Sequence, residues 1–248
     1  MDPEYRIQNE GYRKTVQNLG DSFCPFQKEY QMEVLETFLE KDFKRGNLRV
    51  LDACCGQGRL LHYLNLYNSQ QQYTGFDYVL DFVNEARARF VDNENIDVIH
   101  ADIYDLPVSM QKYYDITVLY KTLAWIPDLE RVLQALFSVT KCKVYITTPL
   151  YAGDIDFEVR AQLPIPGTHE REQRMHYIYG IPRFERLCRE FGAQSVRIHE
   201  LNLPFALPEP RNLDTLQTFT IETNSGEYIE LTNIVKLDWK LIEIELQS

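Results

Sequence analysis

Asp52 opens a short run, Asp52-Ala53-Cys54-Cys55-Gly56-Gln57-Gly58-Arg59, that ends an apolar segment containing Leu48, Val50 and Leu51. An acid at a strand tip, a glycine turn and then a helix form the front half of a nucleotide-binding βα unit. Glycine lacks a Cβ, reaches positive φ and lets a ligand lie against the backbone. The amides of the following helix then face that ligand. A second acid, Asp77, stands nineteen residues beyond Gly58. A carboxylate at that spacing, at the tip of the next strand, can accept both hydroxyl hydrogens of a ribose diol. An Asp in this place also serves as an N-cap for a helix beginning at Val79; the spacing from the glycine turn favours the ribose. A third acid, Asp102, follows a third apolar run and precedes a turn at Leu106-Pro107.

The elements that must position these acids follow from periodicity. Tyr73 to Phe76, Asp97 to Ala101, Asp115 to Tyr120 and Lys143 to Thr148 read as strands. Between them, Leu60, Leu61 and Leu64, then Val79, Phe82, Val83, Ala86 and Phe90, then Leu129, Val132, Leu133 and Leu136 repeat at helical spacing. Ile181-Pro182 starts a further helix with proline in its favoured first turn, and Gly192 closes it. Strands follow at Ser195 to Ile198 and Leu237 to Leu246, with two strand-like runs between them, joined at Thr223-Asn224-Ser225-Gly226 as a hairpin. Residues 1–46 read as two helices, one carrying Tyr5, Tyr12, Val16 and Leu19, the other Tyr30, Val34, Leu35, Phe38 and Leu39. Residues 149–181 show no regular period and read as a lid-like or binding insertion, and residues 202–235 as a hairpin insertion.

The run from Asp52 to Gly58 resembles motif I of the class I S-adenosylmethionine (SAM)-dependent methyltransferases, an acid followed by D-x-G-x-G-x-G, with Cys54 in place of the first glycine. The order of strand, glycine turn, helix, Asp77, helix and Asp102 across residues 47–148 fits the same family. The resemblance implies a three-layer αβα Rossmann-like methyltransferase fold. Its mostly parallel seven-stranded sheet would have an antiparallel last strand and carry the inserted β-hairpin. It implies that Asp52, Ala53, Cys54, Gly56 and Gly58 form the cofactor turn, that Asp77 holds the SAM ribose with Tyr78 near the adenine, and that Asp102 and Ile103 meet the adenine edge. It also places Tyr120 at the reacting crevice and makes residues 1–46 a helical cap, with Tyr12 reaching the cofactor, over a methyltransferase domain at 47–248. The Lys-Pro-Gly-Gly-like turn that often precedes the fifth strand of the family is replaced here by Thr140-Lys141-Cys142.

The formal net charge of −11 over 248 residues argues against a broad nucleic-acid-binding face. No apolar run approaches membrane-spanning length. Five scattered cysteines, without a C-x-x-C spacing, point to a reduced, cytoplasmic protein and to no structural metal. The absence of an Asn-Pro-Pro-Tyr-like element or a Pro-Cys nucleophile removes base methylation of nucleic acids. The expected acceptor is therefore a small molecule methylated on O or N, with S-adenosylhomocysteine as product. A hydroxyl acceptor needs a base, and His169 or His176 in the lid-like segment could serve. Two alternatives remain at this level: a nicotinamide-dependent dehydrogenase, which shares the glycine turn and the second acid, and a catalytically inactive SAM-binding protein of the same fold.

Overall fold

The alternation within each strand decides the layers. In β1 (Arg49–Ala53), Val50 packs with one apolar cluster and Leu51 and Ala53 with the other. The computed structural model describes residues 28–165, 167–209, 214 and 216–247. The helix expected around Tyr12 lies outside them. Five parallel strands form the centre of the sheet: β1, β2 (Gln72–Asp77), β3 (Ile96–His100), β4 (Tyr114–Tyr120) and β5 (Thr140–Tyr151). The closing strand, β12 (Trp239–Leu246), inserts antiparallel between β5 and β8 (Ala193–Glu200), giving the order β3-β2-β1-β4-β5-β12-β8. This is the expected mostly parallel sheet with an antiparallel last strand.

Helices cover both faces. On one, α1 (Tyr30–Phe43), α2 (Arg59–Tyr67) and α3 (Leu80–Arg89) bury Met32, Leu35, Leu61, Leu64, Val83 and Ala86. On the other, α4 (Leu129–Val139) and α5 (Ile181–Glu190) bury Val132, Leu133, Leu136, Phe184 and Leu187. The far end of α1 is tied to the sheet by polar groups: the Asp42 carboxylate accepts from the Tyr145 hydroxyl at 2.7 Å and from Lys143 Nζ at 3.1 Å, and Lys143 also donates to Glu243 at 2.9 Å. Its near end therefore has a fixed place at the tips of the strands.

Two segments are more ordered than the sequence indicates. The stretch read as irregular, 149–181, consists of the end of β5 and an antiparallel hairpin of β6 (Phe157–Pro164) and β7 (Arg171–Gly180). Its inward side chains alternate too weakly on β6, where exposed and half-buried residues take turns, to declare a strand. The segment 202–235 holds the expected hairpin, β9 (Thr218–Glu222) and β10 (Tyr228–Thr232), which the two-residue β11 (Val235–Lys236) extends to a three-stranded antiparallel sheet. β11 is too short for any periodicity to show. Among the described residues, no helix is long and apolar enough to cross a membrane.

The glycine turn and β2 meet in a tight seam. A Cβ on Gly75 would lie 2.6 Å from Leu61 Cδ1 and 2.8 Å from Cys55 Sγ. Gly75→Ala is expected to destabilise the protein by about 1–3 kcal/mol, as overpacked cores do. Urea unfolding of the two proteins reads this directly; an unchanged midpoint would show that the seam has room.

Candidate functional site

The turn after β1 takes its shape from three left-handed residues. Cys54 has φ 57°, Gly56 φ 54° and Gly58 φ 77°. Cys54 holds the left-handed conformation although it carries a Cβ, a cost of about 1–2 kcal/mol. Gly58 is the N-cap of α2, and a Cβ there would meet the Phe90 ring at 2.5 Å, so this glycine is needed for packing on α3. A Cβ on Gly56 would meet nothing within 4 Å: the backbone there faces open space.

Asp77 ties the turn to the tip of β2. Gly56 N–H donates to its Oδ2 and Val79 N–H to its Oδ1, each at 2.8 Å. The N-cap of α3 is Val79, so Asp77 orients the entry to that helix without capping it. Burial raises the Asp77 carboxyl above its ordinary range, although the amides of Val79, Gly56 and Tyr78 pull against that shift. Asp52 is deeper, 2% exposed, and its Oδ2 has no partner among the described residues. Burial first, and then the Asp77 charge, push its carboxyl well above the ordinary range. Two buried carboxylates at adjacent strand tips, one with an unsatisfied oxygen, favour a cationic ligand rich in donors.

A cavity of about 400 Å³ opens over this turn. Of the residues singled out in the sequence, Asp52, Cys54, Gly56, Asp77, Tyr78 and Tyr120 line it. Ala53 is fully buried beneath the turn and Ile103 is 1% exposed in the core, so neither offers a side chain to the cavity. Asp102 is half-buried and accepts from Tyr104 N–H at 2.9 Å within its own turn. Tyr12 lies outside the described residues.

A second cavity, of about 500 Å³, adjoins the first. Glu29, Arg59, Lys121 and Trp125 line both. The Glu29 carboxylate sits immediately before α1 and receives Arg59 Nη1 at 2.6 Å, Lys121 Nζ at 2.6 Å and the Tyr120 hydroxyl at 2.8 Å. Burial raises its carboxyl, but the Lys121 and Arg59 charges outweigh that and hold it below the ordinary range. Sequence reasoning missed Glu29, Arg59, Trp125 and Glu230. The partners of Glu29 are distant in the chain, and the one signal available was position, Glu29 before a helix and Arg59 directly after the glycine turn.

The two histidines separate. His169 is exposed in the turn between β6 and β7 and lines neither cavity. His176, on β7, lines the second cavity, 6% exposed, with its ring centroid 4.2 Å from that of Trp125. Burial, helped by the Arg174 charge, lowers its pKa to about 4, so the imidazole is neutral at physiological pH.

A family model described as a methyltransferase domain matches residues 44–189, more than half of the chain. No curated protein sequence matches. Among solved structures, the chain is similar to the 1,6-didemethyltoxoflavin-N1-methyltransferase of Burkholderia thailandensis with bound 1,6-didemethyltoxoflavin and S-adenosylhomocysteine (15% identity, TM-score 0.62, covering 100% of this chain and 92% of that one). It is also similar to the magnesium protoporphyrin IX methyltransferase of Synechocystis PCC 6803 with bound SAM (14% identity, TM-score 0.57, covering 100% and 98%). A third is the CMeT domain of the citrinin polyketide synthase (13% identity, TM-score 0.57), where the alignment covers 86% of this chain and 51% of that one. At these identities the structures speak for the fold, and the family model supplies the activity. The open backbone at Gly56 and the unpartnered oxygen of Asp52 fit the cationic SAM cofactor of that family, which replaces the nicotinamide considered from the sequence. With its glycine turn, its acids at the strand tips and its closing antiparallel strand, the chain belongs to the class I SAM-dependent methyltransferases.

Proposed function

We propose that the protein transfers a methyl group from SAM to an oxygen or nitrogen of a small-molecule acceptor, with SAM in the cavity over the glycine turn and the acceptor in the adjoining one. The observation that carries this reading is the shared wall. Glu29, Arg59, Lys121 and Trp125 border both cavities, so ligands in the two would meet there. The second cavity, about 500 Å³ in volume, suits a small molecule, within the range of roughly 300–1,000 Å³ typical of such sites. Its lining of Tyr30, Phe205, Leu207, Leu237 and Trp239 suits an apolar or aromatic body. The Burkholderia neighbour, solved with bound 1,6-didemethyltoxoflavin, supports a small-molecule acceptor.

Bound SAM supplies an electrophilic sulfonium methyl, so the chain's task is to align and enclose. Asp77 offers its carboxylate to the ribose diol, while Gly56 lets the ligand approach the backbone. Asp52 Oδ2 offers an acceptor to the cationic end of the cofactor. Tyr78 borders the same cavity, as the adenine assignment requires. Tyr120 and Lys121 are held at the crevice by Glu29. Cys54, Cys55, Cys142 and Cys188 are all free thiols, which supports a reducing, cytoplasmic setting.

Calorimetric titration tests the cofactor site. Wild type is expected to bind SAM and S-adenosylhomocysteine but not NAD. Asp77→Ala is expected to lose about 100-fold in affinity, the worth of charge-assisted bonds of roughly 3 kcal/mol. Asp77→Asn, which keeps one acceptor oxygen, should fall between them; equal affinities in all three proteins would remove Asp77 from the site. A second substitution separates the cavities. Thr218 is exposed on β9 and lines only the acceptor cavity. Thr218→Trp should fill it, leaving S-adenosylhomocysteine binding within about twofold while methyl transfer from labelled SAM to a small-molecule panel drops at least about tenfold. Transfer at the wild-type rate would place the acceptor elsewhere.

A further inference from the structure

The acceptor cavity contains a carboxylate whose chemistry is half spent. Glu230 lies on β10, and its Oε1 accepts the indole N–H of Trp239 at 2.8 Å. Its Oε2 is buried and has no partner among the described residues. The residue is well anchored: its carbonyl accepts Leu237 N–H at 2.9 Å, and in the β9–β10 ladder it stands opposite Thr220. Thr218, Glu230 and Thr232 reach the same cavity from the added sheet, and the two threonine hydroxyls are 3.2 Å apart. A buried carboxylate oxygen left without a hydrogen bond is costly to the fold. A bound donor would recover it.

We propose that Glu230 Oε2 is the atom that accepts the hydrogen bond from the acceptor's N–H or O–H and receives its proton on methyl transfer. This rests on the reading of the second cavity as the acceptor site. The substrate class follows from the walls: a neutral aromatic or heteroaromatic molecule, its body among Tyr30, Phe205 and Trp125, bearing an N–H or O–H at the atom to be methylated. The step balances. The lone pair of that nitrogen or oxygen forms the new bond to the methyl carbon, the electron pair of the broken carbon–sulfur bond stays on sulfur, and the proton passes to Oε2. The carboxylate charge is neutralised as the sulfonium charge disappears, so no net charge is created in the cavity.

The environment suits the task. Burial raises the Glu230 carboxyl and the Glu29 charge adds to this, while the Lys121 charge and the Trp239 N–H oppose it; the net shift is upward, toward a stronger base. His176, which lines the same cavity, has its pKa lowered to about 4 by burial and the Arg174 charge.

The test uses two probes of nearly equal shape, benzimidazole, which carries an N–H, and benzoxazole, in which a ring oxygen replaces it. Each is titrated into the S-adenosylhomocysteine complex of the wild type and of Glu230→Gln. Glutamine keeps an oxygen for Trp239 and puts an N–H₂ donor where Oε2 stood, so the fold is retained and the polarity toward the acceptor is reversed. Wild type is expected to prefer benzimidazole by about tenfold or more, and Glu230→Gln to lose that preference, with S-adenosylhomocysteine affinity unchanged. A wild type that does not discriminate, or a variant that still does, overturns the proposal. Failure of S-adenosylhomocysteine to bind the wild type overturns instead the assignment of the two cavities.

Discussion

The site depends on one carboxylate joining two strands. Asp77 ends β2, and both its oxygens are taken by backbone amides, one from the glycine turn after β1 and one from the entry to α3. Parallel strands have no hairpin to fix their tips relative to each other, since each returns through a helix. Their backbone ladder holds the tips, with Cys55 N–H donating to the Phe76 carbonyl at 2.8 Å, and Asp77 extends that hold past the ladder with bonds of 2.8 Å to Gly56 in the turn after β1 and to Val79 at the entry to α3. The cost is two buried carboxyls side by side, Asp77 and Asp52, both raised above their ordinary range, and that cost shapes the site: it favours a ligand that is positive and donates hydrogen bonds. A sulfonium cofactor with an ammonium group and a diol meets both needs.

Glu29 does for the two cavities what Asp77 does for the two strands. Its carboxylate gathers an arginine from α2, a tyrosine from the end of β4 and the lysine just beyond it, and thereby fixes the start of α1 over the crevice. Lys121 sits at φ 60°, an uncommon conformation for a residue with a side chain, and its ammonium also lies 5.2 Å from the Trp239 ring centroid. The network links the cofactor cavity to the strand that orients Glu230. Asp42 holds the other end of the same helix against β5. The helix is thus pinned at both ends by acids, and its apolar face alone would not set its position along the sheet.

What could be read from the chain divides by range. The glycine turn, Asp77 and the strand–helix rhythm are local patterns, and local steric rules fix them; the antiparallel last strand follows from the family resemblance and from no local pattern. The adenine assignment of Asp102 and Ile103 rests on the family pattern; Asp102 Oδ1 accepts the Tyr104 N–H, and Ile103, whose expected contact is through its backbone, has its side chain in the core. Cys54 shows the reverse case: it departs from the family's glycine yet keeps glycine's backbone angle. The partners of Glu29 lie about thirty to ninety residues away, which no periodicity reports. His169 and His176 looked equivalent as ionisable residues in one irregular stretch. The β6–β7 hairpin separates them, leaving one in an exposed turn and burying the other against Trp125.

The added sheet is built apart from the strand tips of the main one. β9, β10 and β11 lie between β8 and β12 in sequence and, among the described residues, form no ladder with the main sheet. Their residues can therefore vary without disturbing the strand tips that carry Asp52 and Asp77. One face of this small sheet supplies Thr218, Glu230 and Thr232 to the second cavity and none of these to the first. Trp239 is the joint between the two sheets: it is the first residue of β12, pairs with Pro149 of β5, and donates its indole N–H to Glu230. A strand of the main sheet thus sets the orientation of a carboxylate that belongs to the added sheet. That coupling is what a proton acceptor needs, because in-line transfer demands that its position be fixed relative to the cofactor and not merely near it.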